Sequence, residues 1–124
     1  MIYLCTNSQM ILNKKNLEKR VIKYFSYFSD KDISKLNSLF SNNILIIDWE
    51  NNLKGKKKAI NFNKKIFSKF NKIKVILKEI FYNPNKYAFA CKITIKLDRN
   101  TLNVIDLIYF NSNLKIKKIE AYLK

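Results

Sequence analysis

From Asn16 onward, apolar residues recur every three or four positions. Leu17, Val21, Tyr24 and Phe28 form one stripe of a helix, with Asn16 placed to cap its start. Ser29-Asp30-Lys31-Asp32 interrupts the stripe, and Asp32 is suited to cap a second, short helix carrying Ile33, Leu36 and Phe40. Ser41-Asn42-Asn43 reads as a turn, and Ile44 to Trp49 as a strand rich in β-branched residues. After a loop marked by Asn51-Asn52 and Gly55, a third helix is expected from about Lys57 to Phe70. It brings Ile60, Asn63, Ile66, Phe67 and Phe70 near one side.

Beyond Phe70 the period changes to two. Ile73, Val75, Leu77 and Phe81 form one row, then Tyr87, Phe89, Cys91, Ile93, Ile95 and Leu97 form another after a turn at Asn83-Pro84-Asn85. Asp98-Arg99-Asn100 turns the chain into a strand from Leu102 to Phe110, and a last strand runs from Lys115 to Leu123. Helices followed by a run of strands predict an α+β domain with helices on one face of a largely antiparallel sheet. The opposite face holds Ile76, Ile80, Ala88, Ala90, Ile105, Leu107 and Tyr109, which is not a solvated set. Three helices cannot cover both faces, so a homodimer through the open face is expected.

Composition narrows the chemistry. The chain of 124 residues has no His and a single Gly, Gly55. Histidine-based metal sites and His-dependent triads are therefore excluded, as are glycine-rich phosphate loops. No cofactor and no metal is expected. The formal charge of +16 suggests an anionic partner, and Lys54 to Lys78 holds ten Lys and no acid. Yet only Arg20 and Arg99 are Arg, and Lys, Asn and Ile together make 58 residues, a bias that A/T-rich codons alone produce. Nucleic acid is not the expected partner, because its readers favour Arg and interleaved aromatics. Cys5 and Cys91 form no paired motif, and no stretch is long and apolar enough to span a membrane. The expectation is a cytoplasmic protein with an N-terminal arm at 1–15, Met10 being an alternative start, and one domain at 16–124.

Two acids stand where the pattern calls for apolar residues. Asp48 shares a strand face with Ile44 and Ile46, and Asp106 one with Leu102, Val104, Ile108 and Phe110. Such an acid turns to solvent, hydrogen-bonds to a neighbour, or carries a raised pKa in a site. The pattern alone leaves structure and function open. Tyr24 on the same basis is a core aromatic.

The order of these segments resembles the nuclear transport factor 2-like superfamily, in its SnoaL-like and ketosteroid-isomerase-like branch. The resemblance covers about residues 17 to 123. It rests on Val21-Ile22-Lys23-Tyr24, Asp32-Ile33, Leu39 to Asn43, Ile46-Ile47-Asp48, Gly55 to Ile60, Val104 to Phe110, and Ile116 to Tyr122. It implies a cone-shaped fold, in which a curved sheet wraps three helices around an apolar pocket. In the isomerases a carboxylate ending the first strand moves a proton between carbons, while a helix-one Tyr and a protonated Asp donate to the enolate oxygen. By position the resemblance assigns the first role to Asp48 and the other two to Tyr24 and Asp106. The chain departs from the isomerases at Trp49-Glu50, in a loop about two residues shorter, and at Leu123, where they carry an aromatic. Glu50 adds a second carboxylate that faces either the pocket mouth or solvent, with solvent the expected side.

Three functions are therefore distinguished. One is acid–base isomerisation of a small hydrophobic carbonyl compound. Another is a non-catalytic small-molecule-binding or protein-interaction dimer module of the same fold. Electrostatic binding of nucleic acid or anionic surfaces is the third.

Overall fold

The computed structural model describes residues 11–124. Most of the expected N-terminal arm, with Cys5 and Met10, lies outside the described residues. The first helix, α1, spans Lys14–Ser29 and starts three residues earlier than a cap at Asn16 would place it. Asn13 is its cap, accepting from the Asn16 amide at 2.9 Å, while Asn16 uses its own side chain to reach the Ile11 carbonyl. At the other end, the Ser29 hydroxyl donates to the Phe25 carbonyl and accepts from the Val75 amide, each at 2.9 Å. That bond ties α1 to the strand it packs against. The second helix, α2, spans Ile33–Leu39 and is capped by Asp32 as expected.

The strand β1 runs Phe40–Ile47, so Ser41-Asn42-Asn43 is not a turn. It is the irregular start of the strand, where the pairing register shifts between Phe40 and Leu45. Asp48 and Trp49 lie just past the strand's end. A short β2 (Asn52–Lys54) leads to α3 (Lys56–Lys69), entered through Gly55 at φ 98°, a conformation that costs side-chain-bearing residues steric strain. Then come β3 (Ile73–Asn83), β4 (Ala88–Leu97), β5 (Asn100–Phe110) and β6 (Ile116–Leu123).

These six strands form one sheet in the order β2-β1-β6-β5-β4-β3. All neighbours are antiparallel except β1 and β6, which run parallel and close the N-terminal half of the chain onto its C-terminal end. Bulges in three strand pairs bend the sheet. Its concave face carries Phe89, Cys91, Ile93, Val104, Ile108, Phe110 and Ile119, all buried with Leu17, Val21, Leu36 and Ala59 from the helices.

One bulge corrects the expected rows. Leu77 pairs with Ile93 and Glu79 with Lys92, so Lys78 is an extra residue. Past it every side chain changes face. Ile80 and Tyr82 therefore pack against the core, and Phe81, expected inside, is 61% exposed on the convex face.

Candidate active site

The concave sheet and the helices enclose a mostly apolar cavity of about 370 Å³. Tyr24, Asp48 and Asp106 all line it. Tyr24 comes from the inward stripe of α1, its ring tilted against Phe25 at 5.3 Å and against Phe28 and Phe40 at 6.2 Å. That packing holds the ring in place at the cavity wall.

Asp106 sits mid-strand in β5, in register with Cys91 on β4 and Ala121 on β6. Both neighbours are small, which leaves space above the carboxyl, and neither side chain is a strong hydrogen-bond donor. The residue is 7% exposed. Burial, and secondarily the charge of Asp48, pushes Asp106 up to about 7, with no hydrogen bond among the causes. Burial likewise holds Tyr24 well above the usual phenol range, with Asp106 and Cys91 adding to it. The Cys91 thiol, in the core beside Asp106, is pushed up to about 12 by burial, then by Asp106 and Glu18, and is inert.

Asp48 follows Ile47, which pairs with Glu120, and so stands one step on beside Ala121. Asp106 reaches the same Ala121 from the other side. Ala121 lines the cavity with both acids, and the charge of Asp48 is felt at Asp106. Asp48 is fixed by a tight turn. Its Oδ1 accepts from the Glu50 amide at 2.8 Å, the Asn51 amide at 2.7 Å and Asn51 Nδ2 at 3.0 Å. Oδ2 has only a longer contact with the same Nδ2, at 3.2 Å.

Sequence reasoning missed parts of the wall. Trp49, Glu50 and Asn51 line the cavity at the Asp48 turn, and Trp49 and Glu50 are also exposed, so they form its mouth. Asn63 from α3 lines it too, 2% exposed, and its Nδ2 has no hydrogen-bond partner among the described residues. The signal for Asn63 was the one that marked Asp106, a polar residue on an otherwise apolar stripe. Among the described residues, no group of three Cys, Asp or Glu could hold a metal ion. The lysines of α3 and the strands are mostly exposed, and one of them, Lys69 at the end of α3, also lines the cavity.

No protein-family model matches the chain, and no curated protein matches it in sequence. Solved structures do match it in fold. A nuclear transport factor 2-like protein of unknown function from Cytophaga hutchinsonii superposes with a TM-score of 0.74 at 13% identity, over 90% of each chain. A candidate ketosteroid isomerase from Kribbella flavida gives 0.74 at 9% identity, over 87% of this chain and 77% of its own. SalBIII, an epoxide hydrolase/cyclase-like enzyme with a role in pyran-ring formation in the polyether salinomycin, gives 0.75 at 14%, over 92% and 95%. The chain has the nuclear transport factor 2-like fold, with three helices and a curved, mixed six-stranded sheet among the described residues.

Proposed function

We propose that the protein catalyses proton transfer between carbon atoms of a small hydrophobic carbonyl compound, through an enolate. The observation that carries this reading is Asp106, an acid buried in an apolar row and pushed up to about 7, in the same cavity as Tyr24 and Asp48. A neutral carboxyl donates a hydrogen bond that an ionised one cannot. Tyr24 and Asp106 donate to the carbonyl oxygen as it gains charge, and the apolar wall strengthens both bonds by excluding water. Asp48 takes the proton through Oδ2, the oxygen its turn leaves less occupied, and returns it to a second carbon. No cofactor enters this chemistry. The fold shared with a candidate ketosteroid isomerase and a cyclase-like enzyme supports the class of substrate.

The test is conversion of 3-cyclohexen-1-one to its conjugated isomer, followed by ultraviolet absorbance. Asp48→Asn lowers the rate by about 10²–10⁴-fold. Activity falls as pH rises through about 7, where Asp106 loses the proton it donates. A chain that binds the ketone yet gives the uncatalysed rate defeats the catalytic reading.

A second reading, a non-catalytic pocket or interaction module, is favoured by the Asp48 turn. Three donors on Oδ1 make a stable structural motif and need no substrate to explain them. Under either reading a second copy of the chain covers the convex sheet face. There Phe81 is 61%, Tyr122 54% and Ile105 37% exposed beside Leu107 and Ala90. The proposal includes a cytoplasmic location, with neither nucleic acid nor membrane as partner; among the described residues no helix is long and apolar enough to cross a membrane.

A further inference from the structure

The stripe that α3 turns inward is Ala59, Asn63 and Phe67. Two of the three are apolar and fill the space between helix and sheet. Asn63 breaks the row. It is 2% exposed, and its Nδ2 is enclosed with no hydrogen-bond partner among the described residues. Buried amides in folded proteins nearly always find one, because an unpaired buried donor loses its bonds to water and gains nothing in exchange. A Leu would fill the same volume without that loss. Nor does Asn63 earn its place through helix formation, where Asn ranks below Leu.

What distinguishes this position is that it borders the cavity. The terminal torsion of an Asn is broad, so Nδ2 is free to turn between its enclosed position and the space the residue lines. The helix is anchored there: Phe67, one turn on, stacks edge-on against Phe28 of α1 at 5.0 Å. Asn63 thus stands on a rigid wall of its own, on a different helix from Tyr24 and on neither of the strands next to Asp106.

We propose that Asn63 contacts the ligand and donates through Nδ2 to a second oxygen, distinct from the one met by Tyr24 and Asp106. The pocket then selects hydrophobic compounds with two oxygen functions over simple monoketones. This inference rests on the donor pair of the proposed function and adds a specificity-determining residue to it. Asn63 is kept at a cost in stability because the bound ligand supplies its missing partner.

The experiment is a fluorescence titration with 2-naphthol, which offers one oxygen, and with 6- and 7-acetyl-2-naphthol, which add a carbonyl. The wild-type chain binds at least one acetyl derivative about tenfold tighter than 2-naphthol. Asn63→Leu abolishes that gain, so that the acetyl derivatives bind no tighter than 2-naphthol, and melts a few degrees higher. Tyr24→Phe weakens all three probes alike. Asn63→Leu that keeps the gain, melts lower or fails to fold overturns the inference, because the amide then serves the fold. If 2-naphthol binding depends on Tyr24 but no acetyl derivative gains, only the role of Asn63 is lost. If no naphthol binds the wild-type chain, the donor pocket itself is wrong and both readings fall.

Discussion

The two faces of the sheet carry opposite anomalies. On the concave side of β5, Leu102, Val104, Ile108 and Phe110 surround one acid, Asp106. On the convex side of the same strand, Ile105, Leu107 and Tyr109 stand among ion pairs such as Lys118–Glu120 at 3.0 Å and Lys92–Glu79 at 3.5 Å. Each anomaly has a cost, and the costs differ in kind. A buried acid destabilises the fold and holds a proton it would otherwise lose. Exposed apolar groups cost the protomer little and make it prone to association. A polar residue inside thus points to chemistry in the cavity, and apolar residues outside to a partner.

The sharpest contrast is between two phenylalanines. Phe89 is 1% exposed, in edge contact with Phe110 at 6.2 Å, whereas Phe81 on the next strand is 61% exposed. Phe89→Ala lowers stability by about 3–5 kcal/mol in urea unfolding. Phe81→Ala, in dilute solution, changes it by under about 0.5 kcal/mol. Equal losses would mean that Lys78 does not bulge and that Phe81 points inward.

Next comes the acid. Asp106 rises from the ordinary 3.8 to about 7 on folding, so between these values the native state binds more protons than the unfolded chain. Its contribution to stability therefore falls as pH rises from about 4 to about 7 and stays lost above that. Asp106→Asn removes the dependence. The stability difference between variant and wild type should grow by up to about 4 kcal/mol between pH 4 and pH 8. A constant difference would show an acid with an ordinary proton affinity and no role as a neutral donor.

The smallest effect on the protomer belongs to the convex face. Ile105 pairs in register with Lys92, so Ile105→Glu places its charge beside a cation. It should alter protomer stability by under about 0.5 kcal/mol and yet halve the mass seen in sedimentation. A wild-type chain that already sediments as a monomer at high concentration removes the second copy from the proposal.

Local pattern carried much of this architecture. The three helical stripes and the alternation in β4 and β5 were legible because each element's period repeats within a few residues. Asp106 and Asp48 were legible as acids in apolar rows. Details that depend on a distant partner were not. Nothing around Lys78 announces an extra residue; the bulge is defined only against Lys92 and Ile93 across the strand pair. The strand-like start of β1 at Phe40 depends on Ile116, far along the chain. Asn63 looked like one more position on a helix face until its amide was seen to lack a partner.

By itself the sequence determined which chemistry is available. With no His and one Gly, proton-transfer chemistry was left to the nine carboxylates, the tyrosines, Lys and the two cysteines. It also determined that Asp106 lies on the inward face of its strand, since alternation is a property of the backbone alone. Only the tertiary structure decided that Tyr24, Asp48, Asn63 and Asp106 meet around one cavity. These four residues sit on α1, on the turn after β1, on α3 and on β5. What joins them is the parallel pairing of β1 with β6 and the bend of the sheet over the helices. Those are long-range contacts, whose geometry no local period encodes.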